Sequence, residues 1–151
     1  MPTQEQFKIL LPLACKWAEE QERIILINGM PLSLTQITDA QKVGVAHPEQ
    51  VRLLKVACIP VPEHPILRAA ATQLISPRTA GLTLRYGIFV RSDCWGERKL
   101  IVHELVHTFQ YEKLGGFKQF LERYLYECIN IGYPEAPMEQ EAIATATRLC
   151  T

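Results

Sequence analysis

The sequence predicts a mixed α+β fold, rich in helix and built around one small sheet. Three observations carry that prediction. Long segments repeat apolar residues at helical spacing, residues 51–59 form one continuous run of strand character, and two short strand-like runs at 82–85 and 88–91 flank Tyr86-Gly87. A chain of 151 residues can bury a core, and no internal repeat, low-complexity tract or long linker interrupts it. Residues 1–151 therefore read as one domain, with helices and a first strand over 1–80 and a hairpin and further helices over 81–151.

In chain order, residues 4–22 read as a helix, with Phe7, Leu10, Leu11, Ala14, Trp17 and Ala18 at helical spacing. Pro12 inside that pattern predicts a kink or a second start, and Asn28-Gly29 marks a turn. A short helix over 35–43 stops at Gly44. The strand at 51–59 lies between Pro48 and Pro60, and Pro60, Pro62 and Pro65 form a connector to an Ala-rich helix over 67–75. After the hairpin, Asp93 is the expected cap of a helix over 97–114 that ends at Gly115-Gly116. Residues 117–129 form another helix, with Phe117, Phe120, Leu121, Tyr124 and Leu125 on one face. Gly132-Tyr133-Pro134 leads to a last helix beginning near Pro137.

Composition narrows the function. Lys plus Arg and Asp plus Glu both number 16, and no basic stripe interleaves with aromatics, so no nucleic-acid partner is expected. The N-terminus lacks the basic-then-apolar order of a signal peptide, and no apolar run could span a bilayer. The expected location is cytoplasmic, with signal-less export left open. Five widely spaced cysteines without a C-x-x-C pair argue against a disulfide framework and against a cysteine-based zinc site. Most read as buried thiols acting as small hydrophobes, and Cys94, beside Trp95 in a polar loop, is the one whose exposure the sequence leaves open. His47 and His64, each beside a proline, read as surface residues.

The chemistry concentrates in His103-Glu104-Leu105-Val106-His107. Residues four apart on a helix share a face about 6 Å apart, so two imidazoles there can converge on one tetrahedral ion. Glu104 follows the first histidine and points slightly aside, within reach of a metal-bound water, where a general base belongs. Ile101, Val102, Leu105, Val106 and Phe109 make this helix apolar nearly all round, and polar groups buried on it are costly unless something binds them.

A catalytic zinc usually takes a third protein ligand. No H-x-x-G-x-x-H extension follows His107, so a downstream carboxylate must serve: Glu135, Glu139 or Glu141. Ala142, Ile143, Ala146, Leu149 and Cys150 form an apolar stripe on the last helix, and Glu139 falls on it. Glu141 shares its side with Thr145 and Arg148, a solvated face. Helical phase favours Glu139, with Glu141 the alternative.

At these residues the sequence resembles the gluzincin group of zinc metallopeptidases, in which H-E-x-x-H is completed by a glutamate on a later helix. It looks closest to a set of uncharacterised small bacterial domains grouped with the metallopeptidases. The matching segments are 81–91, 103–116 and 133–142, so the likeness covers the C-terminal half and the first half only loosely. The resemblance implies a zincin-like fold with a central active-site helix. It also implies one Zn2+ held by His103, His107 and Glu139 or Glu141, with Glu104 as the catalytic glutamate. Many gluzincins carry an aspartate four residues after the third ligand to support a zinc histidine; Ile143 and Thr145 occupy the two possible positions here, which leaves either weaker support for that histidine or a different supporter.

The implied activity is that of a zinc-dependent hydrolase, a peptidase acting on a peptide or protein through a zinc-bound water activated by Glu104. The developing oxyanion needs a donor, for which Tyr133 is the first candidate and Tyr111 and Tyr86 follow. The run at 88–91 could be a sheet edge for an extended peptide, or an internal strand. The rival reading is a catalytically inactive zincin-like binding module with a structural zinc.

Overall fold

The structure, a computed structural model, describes residues 4–151. Among these, six helices surround one four-stranded sheet, a mixed α+β arrangement. The elements are α1 (Gln4–Asn28), β1 (Met30–Pro31), α2 (Leu34–Val43), β2 (Arg52–Val56), α3 (Pro65–Ala71), β3 (Gly81–Leu84), β4 (Gly87–Arg91), α4 (Arg98–Leu114), α5 (Phe117–Asn130) and α6 (Pro137–Leu149). Among the described residues, no helix is long and apolar enough to cross a membrane.

The sheet order is β1-β2-β4-β3, with β2 and β4 parallel and both outer pairs antiparallel. The 88–91 run is thus an internal strand, and the edge nearest the H-E-x-x-H helix is β3. Strand alternation sends Leu53, Ile88 and Val90 to one face, where they pack with Ala40 of α2 and with Ile101 and Leu105 of α4. Phe89 and Leu84 point to the other face, against Ala18 and Ile25 of α1 and Phe117 and Phe120 of α5. Because β4 is covered on both sides, it reads as a continuous apolar run with no polar face.

Several features depart from the sequence-based expectations: β2 stops at Val56 rather than 59, and α3 covers Pro65–Ala71 rather than 67–75. Helix α1 continues through Pro12 as one helix and runs to Asn28, past the predicted end at 22. Ile25 explains the extension: it is fully buried, and Gly87 lets it press onto β4, since a Cβ there would lie 2.9 Å from that of Ile25. Tertiary burial outweighs the weak helix propensity of the run Ile24-Ile25-Leu26-Ile27. Strand β1 was not expected, because two exposed residues, one a proline, carry no alternation to read. Asp93 does not cap α4: it sits in a 3-10 turn and accepts from Arg91 Nε, while Glu97 occupies the cap position without a side-chain hydrogen bond.

The five cysteines are free. Cys58 is exposed, Cys94 and Cys128 are buried, and Cys15 and Cys150 lie between. His47 and His64 are exposed as expected.

The β3–β4 hairpin turns at Arg85-Tyr86, with Arg85 at φ 61, a left-handed conformation that costs a non-glycine residue. Buried Glu22 of α1 holds it. Its carboxylate accepts from Arg85 Nε and Nη2, both at 2.8 Å, and from the Tyr86 amide at 3.0 Å. Thr108 of α4 donates to the Arg85 carbonyl at 2.8 Å. The hairpin tip is therefore clamped between α1 and α4, which fixes β3 beside α4. Replacing Glu22 by Ala is expected to cost about 2 kcal/mol, the loss of charge-assisted hydrogen bonds to a partner that remains solvated. Urea unfolding checks this, and an unchanged midpoint would remove Glu22 from the account.

Candidate metal centre

Helix α4 is positioned from both ends. Arg98 in its first turn forms a two-pronged ion pair with buried Asp39 of α2, both contacts at 2.9 Å. Its last turn closes on Gly115, whose φ of 106 is readily adopted only without a side chain. Between these anchors, His103, Glu104 and His107 face β3, α5 and the start of α6, all lining one cavity.

Helix α6 begins without a side-chain cap of its own. Instead buried Glu127 of α5 accepts the Met138 amide at 2.9 Å and places a carboxylate at the helix N-terminus. The next residue is Glu139, only 3% exposed. Its Oε2 lies 3.0 Å from His103 Nε2 and its Oε1 lies 2.9 Å from His107 Nε2. One ligand atom from each of these three residues falls within 4.8 Å of the others. Two imidazole nitrogens and a carboxylate oxygen so grouped form a donor set suited to zinc. Glu141, the alternative, is exposed and bonds elsewhere.

A chain of hydrogen bonds settles the tautomer of His107. Gln110 Nε2 donates to the Met138 carbonyl at 3.0 Å and to Glu141 Oε1 at 2.9 Å, both groups that only accept. Gln110 Oε1 must then be the atom 2.8 Å from His107 Nδ1, which carries the proton. His107 Nε2 is left to face Glu139 Oε1 at 2.9 Å. Gln110, with Glu141 behind it, is the histidine supporter that Ile143 and Thr145 cannot be.

Tyr124 of α5 was not singled out. Its hydroxyl donates to Glu139 Oε1 at 2.9 Å, and its ring meets that of His107 edge-on, with centroids 5.8 Å apart. Its position on the apolar face of α5 gave the signal of a packing residue alone.

The electrostatics follow from burial and pairing. Burial alone would drive the Glu139 carboxyl up, but the two histidine hydrogen bonds and their charges outweigh it and hold it far below the usual range. For His107, burial opposes the charged form. The Glu139 hydrogen bond, the Glu104 and Glu139 charges and Gln110 overcome it and raise the imidazole to about 9. Without a metal the pair is thus an ion pair; a metal held by His103, His107 and Glu139 would take the place of a proton.

Glu104 stands apart from the three-residue group. Thr83 of β3 donates to its Oε1 at 2.8 Å and to its backbone carbonyl at 3.0 Å. Its Oε2 lies 4.0 Å from His103 Nε2. Gly81, on the same face of β3 as Thr83, makes room: a Cβ there would lie 3.1 Å from the carboxyl carbon. Tyr133 lines the same cavity from the loop before α6, half exposed at its rim. Burial first, then the charges of Glu139 and Glu104, push its hydroxyl up to about 12. Tyr111 is buried against Phe120 with its hydroxyl 3.4 Å from the Thr83 carbonyl, and Tyr86 donates to Glu112. Both hydroxyls are already engaged.

Zinc affinity, measured by chelator competition, is expected to fall most in Glu139→Ala. Gln110→Ala should cost about 10- to 100-fold, and Glu141→Ala less, since it acts only through Gln110. A larger loss in Glu141→Ala than in Glu139→Ala would contradict this ordering. Comparison with protein-family models, curated proteins and solved structures finds no match, so the functional reading rests on this geometry.

Proposed function

We propose that this protein is a zinc-dependent hydrolase that cleaves peptide bonds. The observation that carries the reading is the convergence of His103, His107 and Glu139 beside a separately held Glu104 at a cavity wall. A closed structural site needs a fourth protein donor, and among the described residues no further His, Cys, Asp or Glu joins these three.

A zinc ion held there supplies a Lewis acid that polarises a carbonyl and acidifies water. The protein's own groups do the rest. Thr83 occupies Glu104 Oε1 and fixes the carboxylate, so Oε2 is the oxygen that takes a proton from water and returns it to the leaving amine. Gly81 permits that carboxylate to lie close to the strand. Tyr133, a phenol protonated at neutral pH and set at the cavity rim, donates to the oxygen that gains charge. Tyr124 and Gln110 hold Glu139 and His107 in place.

Support for a peptide, rather than another acyl compound, comes from β3. It is an edge strand, and Gly81 to Leu84 all line the cavity beside Glu104. An edge offers backbone donors and acceptors to an extended chain.

Glu104→Gln is expected to lower peptide hydrolysis by about 10²- to 10⁴-fold while the protein keeps its zinc. Loss of zinc together with activity would make Glu104 a ligand and overturn its role as base. Tyr133→Phe should lower kcat by roughly 10²-fold with little change in KM; an effect confined to KM would remove it as the oxyanion donor.

A further inference from the structure

The cavity that holds the metal-ligand group extends well beyond it. The whole cavity, ligand group included, encloses about 190 Å³, and the part beyond that group lies between α1, α3, α5 and β3. Its walls include Trp17, Leu67, Ala71, Leu82, Leu121 and Leu125. Trp17 and Leu121 each pack against two otherwise separate core clusters, so the space lies where those clusters meet. The charged or titratable side chains along it are those of the site and its tyrosines, with Cys128; no lysine, arginine or aspartate faces it.

Resting on the hydrolase reading above, we propose that this space is the specificity pocket, and that the substrate residue beside the scissile carbonyl carries one aromatic or branched aliphatic side chain, such as Phe or Leu. Size and chemistry both argue for it. A dry apolar cavity of about 150 Å³ holds benzene, so this one takes a single ring or branched aliphatic group. A charged side chain would be desolvated there without a counter-charge. A small side chain would leave the walls uncovered. The mouth carries the exposed ring of Tyr133 from the loop before α6. Ala71, half-buried at the end of α3, keeps the pocket open, and a large residue there would fill it.

The test compares two probes on the zinc-loaded protein by calorimetry: acetohydroxamic acid and 3-phenylpropanohydroxamic acid. Both offer the same metal-binding group, and only the second reaches the pocket. The phenyl compound is expected to bind roughly 10- to 100-fold more tightly, the worth of burying one large apolar side chain. In Ala71→Trp, shown folded by circular dichroism, that advantage should vanish while acetohydroxamic acid binds as before. Equal affinity of the two probes for the unaltered protein, or a phenyl advantage that survives Ala71→Trp, overturns the pocket. A second arm is independent of zinc and of catalysis. Toluene titrated into the metal-free protein should shift the amide signals of Ala71 and Leu82, and unmoved signals there overturn the pocket as well. The two readings fail separately. A peptide library cut beside lysine or aspartate as readily as beside Phe or Leu removes the pocket and leaves the hydrolase. Toluene bound at Ala71 with no peptide cut supports the pocket and removes the hydrolase.

Discussion

Everything about the site depends on one buried carboxylate. Glu139 stands between two imidazoles from a different helix, and an ionised carboxyl in that position is tolerable only while it is bound. Its three partners, His103, His107 and Tyr124, come from α4 and α5, so the contact ties the beginning of α6 to two other helices at once. The precision of the donor set is inherited from that tie. Glu127 fixes where α6 starts, and Gly115 fixes where α4 ends and α5 can begin. Without these, three ligand atoms from residues up to 36 apart in sequence would have no reason to meet.

Other buried carboxylates show what an ordinary solution looks like. Glu22 and Asp39 each face an arginine with two contacts, a geometry that satisfies both carboxylate oxygens and asks for nothing more. Glu127 accepts a backbone amide and Arg123. Glu139 has no arginine or lysine partner in the contacts described; its positive charge must come from histidines, whose charge is conditional on a proton or replaceable by a metal. Glu104 differs again, since a neutral hydroxyl from Thr83 holds one oxygen and the other lies 4.0 Å from His103 Nε2. On the proposed reading, the same residue type serves structure, ligation and proton transfer, according to what stands opposite it.

Much of this was legible in the sequence, and the reasons differ by element. The 3.6-residue period of α6 placed Glu139 on the apolar stripe and Glu141 on the solvated face, which is where the structure puts them. The hairpin was readable from its two apolar runs, although its turn falls one residue earlier, because an ion pair with Glu22 stabilises Arg85 in a conformation its type disfavours. Strand order was not readable: whether 88–91 lies at an edge depends on β2, which pairs with it across more than thirty residues of chain. The supporting residues were invisible for a similar reason. Gln110 and Tyr124 occupy positions that local pattern assigns to a polar helix residue and a packing aromatic, and only the approach of α6 gives them partners. Local periodicity reveals which face is buried; long-range pairing decides what each buried group meets.

The most direct test of the account is X-ray absorption at the zinc edge on the purified protein loaded with one equivalent of Zn2+. The expected spectrum shows a light-atom first shell at about 2.0–2.1 Å with the outer-shell scattering of two imidazoles. In the Glu139→Ala protein that shell should change or the metal be lost. A shell containing sulfur at about 2.3 Å, a single imidazole, or no stoichiometric zinc would contradict a centre built from His103, His107 and Glu139.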